Sequence, residues 1–180
     1  MHYNKLETFT YVDNLNQENI SKLNKKVQII FRNYKDKFKD QDLIKFVDYC
    51  KINRKKVYLS NDLKRAKKLG FDGVYIPSFN NLTIDYKIGI KKDFTILGSA
   101  HNVKELIVKK KQNTDIIFIS PLFKTDKNKK NLGVIKFNLL SKNTKQKIIA
   151  LGGVNKKNES ILNILEIDGF AAISYFRDKN

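Results

Sequence analysis

The sequence predicts an α/β protein built on a parallel sheet, and three observations carry that prediction. Eight short β-branched runs recur along the 180 residues, separated by polar or helix-periodic stretches. The runs are near-continuously apolar instead of alternating, which is how strands buried on both faces read. All eight glycines fall at or after Gly70, several where a run ends, and α/β folds place their ligands at strand C-termini, where glycine lets the backbone turn. Two architectures satisfy this pattern, a (β/α)8 TIM barrel and a doubly wound open sheet.

Taken in order, Thr8–Val12 and Val27–Phe31 are the first two predicted strands. Residues 41–50 follow as a helix, because Leu43, Phe46, Val47 and Cys50 fall at i, i+3, i+4 and i+7, one apolar stripe. The third strand is Lys56–Leu59. A helix over Asn61–Leu69 begins on a capping residue and stops at Gly70. Strand four is Gly73–Ile76, and the stretch Pro77–Asp93 reads mostly as loop before strand five, Phe94–Leu97. Val103–Lys111 is helical, Ile116–Ile119 is strand six and Ile148–Leu151 strand seven. Glu159–Leu165 reads as helix, with Ile161, Leu162 and Leu165 on one side, and Phe170–Ser174 is strand eight. A TIM barrel usually takes about 250 residues, so 180 make a short version whose final outer helix is lacking. A homodimer could cover the stripe this leaves.

Composition narrows the function classes. The formal charge of +18 first suggests nucleic acid, yet only four of the 36 cations are arginine. Lys, Asn and Ile make up 73 of the 180 residues, the mark of an adenine- and thymine-rich coding sequence. Such drift accounts for the lysine excess, and with few arginines and no recognised motif the expectation is no nucleic-acid partner. No apolar run approaches the roughly 18–20 residues that span a bilayer, and the N-terminus lacks the apolar core of a secretory signal, so no membrane is expected. Cys50 is the sole cysteine, which excludes an intrachain disulfide and a cysteine-cluster metal site. The expectation is one soluble cytoplasmic domain over residues 1–180.

The residues leaving the strands carry the chemistry. They include Arg32-Asn33-Tyr34-Lys35, Ser60-Asn61-Asp62, Pro77-Ser78-Phe79-Asn80, Gly98-Ser99-Ala100-His101-Asn102, Ser120 to Lys127, Gly152-Gly153-Val154-Asn155 and Ser174. Cations, amides, hydroxyls and paired glycines on one rim suit phosphate or diphosphate: glycine lets backbone N–H groups approach the oxygens, and Arg and Lys supply charge. Asp62 could hold a magnesium ion that bridges phosphate oxygens. Each piece also has a structural reading. A diglycine is a common turn, Asn61-Asp62 a helix cap, His101 a solvated side chain, and Lys127–Lys130 a solvated loop. Their convergence on one rim favours the ligand site.

Five strings, in this order and spacing, resemble the thiamine phosphate synthase family and its thiazole tautomerase (TenI-type) relatives: Leu59-Ser60-Asn61-Asp62, Gly70-Phe71-Asp72-Gly73-Val74-Tyr75-Ile76, Gly98-Ser99-Ala100-His101-Asn102, Phe118 to Thr125, and Ile149-Ala150-Leu151-Gly152-Gly153-Val154-Asn155. The resemblance covers most of residues 8–176 and implies the (β/α)8 barrel. It further implies that a pyrimidine methylene loses pyrophosphate and is captured by the nitrogen of a thiazole phosphate. By match, Arg32 and Asn61 contact the diphosphate, Asp62 binds Mg2+, and Ser99 touches the pyrimidine. Thr125 and Lys127 hold phosphate, and Gly152, Gly153, Ile173 and Ser174 cradle the thiazole phosphate. Arg32, Ser99, His101 and Lys127 are the implied catalytic set.

The chain departs from the family pattern at three places. Its Gln-x-Arg-x-Lys stretch stands here as Ile30-Phe31-Arg32-Asn33-Tyr34, with the lysine displaced to Lys35. The second magnesium-binding aspartate is Asn80, which brings a carbonyl and no charge. Lys127 and Asn128 stand where the family has a hydroxyl and then a lysine. The thiazole-phosphate half is thus the better retained. Two alternatives follow: a tautomerase using His101 for proton transfer, and a non-catalytic thiazole-phosphate binder or regulator.

Overall fold

The computed structural model describes residues 6–35, 37–125 and 130–176. Its strands are β1 (Glu7–Val12), β2 (Val27–Phe31), β3 (Val57–Ser60), β4 (Gly73–Ile76), β5 (Thr95–Ala100), β6 (Ile116–Ile119), β7 (Lys147–Leu151) and β8 (Gly169–Ala171). Each pairs in parallel with its sequence neighbours, and β1 pairs with β8 through Glu7–Gly169, Thr8–Phe170 and Phe9–Ala171 to close a barrel. The open-sheet alternative is thereby excluded. All eight predicted strands are present; the fifth runs on through Ala100 and the eighth stops at Ala171.

The outer layer is thinner than eight helices. It holds α1 (Gln17–Ser21), α2 (Asp40–Ile52), α3 (Leu63–Lys68), α4 (Val103–Lys111) and α5 (Gly133–Ser141). α2 buries the predicted stripe of Leu43, Phe46, Val47 and Cys50. α3 is capped by Asp62 and not by Asn61: the Asp62 carboxylate accepts the Arg65 N–H at 2.9 Å. The predicted helix over 159–165 is a single 3-10 segment, Glu159–Ile164. The sequence reading omits α1 and α5. α1 is only five residues long, and α5 buries Phe137 and Leu140 yet leaves Ile135 and Leu139 exposed, so it lacks a clean polar face. Between β4 and β5 the chain is loop, as expected. Among the described residues no helix is long and apolar enough to cross a membrane.

Inside the barrel, Phe9, Tyr11, Ile30, Tyr58, Tyr75, Leu97, Phe118 and Ile149 pack on one another. Outside it lie two separate apolar clusters, one drawn from Val12 to Ile96 and one from Ala100 to Phe176 with Leu6. One repeated device sets the register. Asp72, Asp115 and Asp168 stand just before β4, β6 and β8, and each carboxylate accepts an N–H from the first or second residue of the preceding strand, those of Val57, Ile96 and Ile148, at 2.8 Å. The carboxylate satisfies a strand-end donor that the ladder leaves unpaired.

Candidate active site

The strand C-termini form one rim, and two arcs of it are chemically distinct. On the β2–β4 arc, Arg32 leaves β2 and is held bidentate by Asp13, with Nε to Oδ1 at 2.7 Å and Nη2 to Oδ2 at 2.6 Å. Its guanidinium lies over the Tyr11 ring, 5.2 Å from the centroid. Asn61 adopts left-handed backbone (φ 62°), donates its N–H to Tyr75 O at 2.7 Å and accepts from Asn80 Nδ2 at 2.7 Å. Asn61, not Asp62, therefore faces Asn80.

Asn80 is fully committed. Its Oδ1 accepts the Leu82 N–H at 3.1 Å, and its Nδ2 also reaches Tyr86 Oη at 3.1 Å. Below it, the ammonium of Lys109 uses all three donors, on Pro77 O at 2.8 Å, Asn80 O at 2.9 Å and Gln112 Oε1 at 2.9 Å. Lys109 is 0% exposed, and burial pulls its pKa down to about 8. Sequence reading missed this residue, although it falls three positions after Leu106 on the buried stripe of α4.

A magnesium ion takes octahedral oxygen ligands, commonly one or two carboxylates plus substrate phosphates. Here one Asp62 oxygen caps α3, which leaves the other open, and the Asn80 oxygen accepts the Leu82 N–H. Among the described residues there is no group of three His, Cys, Asp or Glu that could hold a metal.

Beneath the rim, Tyr11 and Tyr75 share a hydroxyl–hydroxyl hydrogen bond of 3.1 Å. Burial pushes the Tyr75 phenol up to about 12 and the Tyr11 phenol well above its ordinary value. Both are neutral hydrogen-bonding groups at physiological pH. Ser99, 4% exposed, lies at this level beside the Tyr75 phenol. His101 is at the surface of the same rim; its Nδ1 is 2.9 Å from Glu105 Oε2, and its own N–H donates to that oxygen at 2.8 Å. Asn102 caps α4 by accepting the Glu105 N–H at 3.0 Å, and its side-chain amide donates to Glu105 Oε1 at 2.8 Å, which fixes the carboxylate against the imidazole.

The opposite arc is built from β7 and β8. Gly152 and Gly153 have φ of 99° and 71°, conformations that side chains rarely adopt. A Cβ on Gly153 would sit 2.4 Å from Lys124 O, and one on Gly152 2.8 Å from Pro121 Cα. The β6 exit loop lies directly on this turn, with Leu122 N–H on Leu151 O at 2.8 Å and Phe123 N–H on Gly152 O at 3.0 Å. The amides of Asn155 and Asn158 donate to Gly153 O. Among the described residues, the N–H groups of Gly152, Gly153, Ile173 and Ser174 have no backbone acceptor, which leaves them available to an anion. Thr125 is on the same loop, partly buried. Lys127 lies outside the described residues.

The family model described as thiamine monophosphate synthase matches residues 14–176. Among solved structures, thiamine phosphate pyrophosphorylase from Pyrococcus furiosus superposes with a TM-score of 0.76 at 19% identity, over 95% of this chain and 87% of that one. A native KDPGal structure gives 0.73 at 12% identity over 94% and 84%. The HpcH/HpaI aldolase from Desulfitobacterium hafniense DCB-2 gives 0.67 at 10% over 94% and 86%. At these identities the likeness is one of fold. No curated protein sequence matches the chain.

Proposed function

The chain belongs to the thiamine monophosphate synthase/TenI family, and from that premise we propose that it joins a hydroxymethylpyrimidine diphosphate to a thiazole phosphate with release of pyrophosphate. The observation that supports this reading is the placement of two chemically distinct arcs on one rim, which we read as seats for two anions. Arg32 and Asn61, at the exits of β2 and β3, belong to one; the Gly152-Gly153 turn and Ile173-Ser174, whose N–H groups have no backbone acceptor among the described residues, belong to the other. A reaction between two phosphorylated substrates needs both, whereas an isomerisation needs one.

In the proposed reaction the methylene C–O bond breaks, its electron pair leaving on pyrophosphate, and the thiazole nitrogen lone pair forms the new C–N bond. Arg32 meets the charge that grows on the departing group, and the glycine arc holds the thiazole phosphate so that its nitrogen approaches the methylene. Much of the catalysis is then positioning and charge stabilisation. The aromatic floor of Tyr11 and Tyr75 excludes water that would otherwise trap the cation. Asp62, whose helix cap uses only one carboxylate oxygen, would be the residue to hold a magnesium ion, which would neutralise charge on the diphosphate; no step is routed through it.

A second reading is favoured by a specific contact. Glu105 holds Nδ1 of His101, which leaves Nε2 to move protons, and proton transfer on a thiazole phosphate requires only the glycine arc. The purified protein is incubated with each substrate set, with and without added magnesium. Formation of thiamine phosphate supports the synthase, and its absence under both conditions rules that reading out. Arg32→Ala should lower condensation at least a hundredfold, on the order of a lost transition-state charge contact, and leave any tautomerisation nearly unchanged. Binding of thiazole phosphate without either activity would assign a non-catalytic role.

A further inference from the structure

At the end of the barrel opposite the rim, a hollow of about 590 Å³ lies under the strand N-termini. Its size falls in the range of about 300–1,000 Å³ that small-molecule sites occupy. Residues 87–94, which lead into β5, form one wall through two successive turns, with the Ile90 N–H on Lys87 O at 3.4 Å and the Phe94 N–H on Lys91 O at 3.1 Å. The floor is polar and ordered. Tyr58, 1% exposed, donates its hydroxyl to Gln28 Oε1 at 2.6 Å, and Gln28 Nε2 donates to Glu7 Oε2 at 2.9 Å.

Five lysines line this hollow, Lys56, Lys87, Lys91, Lys92 and Lys147, against two carboxylates, Glu7 and Asp115. Each carboxylate is already matched: Glu7 accepts from Lys147 at 2.6 Å, and Asp115 pairs with Lys87. Asp93, the other carboxylate of the wall segment, lines a different hollow with Lys51 and Lys67. Lys56, Lys91 and Lys92 are exposed, and among the described residues their ammonium groups have no hydrogen bond or ion pair. Three cations thus stand around one concavity with no protein anion to answer them, and a concave wall of one sign concentrates the field on whatever enters.

We propose that this basal hollow is a second ligand site, which takes a small molecule carrying a di- or triphosphate group, its oxygens on Lys56, Lys91 and Lys92. A chain of phosphates meets three separated cations at once, which a single carboxylate or monophosphate does not. The half-buried Ile90 and Phe94 supply an apolar wall beside the cations. The site is at the other end of the barrel from Arg32 and the Gly152-Gly153 turn, and it does not depend on the reaction assigned to them.

The test titrates the full, isotope-labelled chain with inorganic tripolyphosphate at about 0.15 M salt and reads NMR shifts at the Gln28 side-chain amide and the Thr95 and Ile116 N–H groups. Saturable shifts are expected there, and Arg32→Ala should leave them unchanged. Replacing Lys56, Lys91 and Lys92 together by alanine should weaken this binding about tenfold or more, the scale of three partly exposed charge contacts. Replacing Lys45, Lys64 and Lys136, on the outer helices α2, α3 and α5, should weaken it less than about twofold, since distant charges are screened. ATP in place of tripolyphosphate distinguishes the sources: tighter binding that Phe94→Ala removes assigns a nucleotide, and equal or weaker binding assigns the phosphate chain alone. Absence of saturable shifts at the basal groups overturns the site, as do shifts confined to Gly152, Gly153 and Ser174. Equal losses in the two lysine triples overturn it too, because attraction to the overall charge of +18 then accounts for the binding.

Discussion

At the residue scale, two tightly constrained positions on the rim are a glycine and a lysine. Gly153 combines φ of 71° with a Cβ position 2.4 Å from Lys124 O, so a side chain there must displace the β6 exit loop or the turn itself. Gly153→Ala should cost about 2–3 kcal/mol in a urea titration and weaken thiazole-phosphate binding in the same variant. Lys109 is the opposite case, a buried cation whose three donors all land on neutral oxygens. Lys109→Met leaves those oxygens without a partner and should cost about 2–4 kcal/mol. The pH dependence has a definite sign. The native ammonium loses its proton near 8, against an ordinary value of 10.5, so between these values the unfolded chain binds more protons than the native one. This group's contribution to stability should therefore rise with pH across that window, by at most about 1.4 kcal/mol per pH unit, while the Cys50 thiol, pushed by burial up to about 12, acts in the opposite sense above pH 9. The Lys109 contribution is read as the difference between wild type and Lys109→Met, each denatured at pH 8 and pH 10.

At the scale of elements, the aspartates that precede β4, β6 and β8 do more than end a turn. Asp115 accepts the Ile96 N–H and pairs with Lys87; Asp115→Ala should cost about 1–3 kcal/mol, and amide hydrogen exchange should show the loss concentrated at the start of β5. The elements also differ in how plainly their residues announce them. Strands buried on both faces leave unbroken apolar runs, and all eight are legible for that reason. α2 is legible through its stripe. α5 is not, because Ile135 and Leu139 are apolar on its exposed side and blur the period. The rim was legible as a set of strand-end residues, since glycine, asparagine and arginine cluster there. Its internal partnerships were not: Asp13 on Arg32, Asn80 on Asn61 and Lys109 under Asn80 join residues 19 or more positions apart, and one lysine among 32 carries no local sign of burial.

For the whole molecule, the charge of +18 works mainly as self-repulsion, because the cations are mostly lysines and only a few sit on the rim. Raising ionic strength should increase the melting temperature by a few degrees, as screening relieves the repulsion, and this is checked by scanning calorimetry at low and high salt. The two outer apolar clusters have a larger consequence. They divide the barrel's exterior near β5, and the exposed loop residues 81–85 lie just before that division. The molecule is in this sense two half-shells, each with its own outer packing, that share a single inner plug of aromatic rings. Severing the chain at residue 84 leaves each fragment with most of one outer cluster, Tyr86 and Ile96 passing to the second fragment, and with half of the plug exposed. The fragments should therefore be poorly folded alone and recombine into a stoichiometric complex when produced together. Co-elution with recovered near-ultraviolet tyrosine dichroism would demonstrate it, and independent folding of either fragment would refute it. The ring stack is then the adhesive between two modules, and the loop between β4 and β5 is the seam along which the protein can be taken apart.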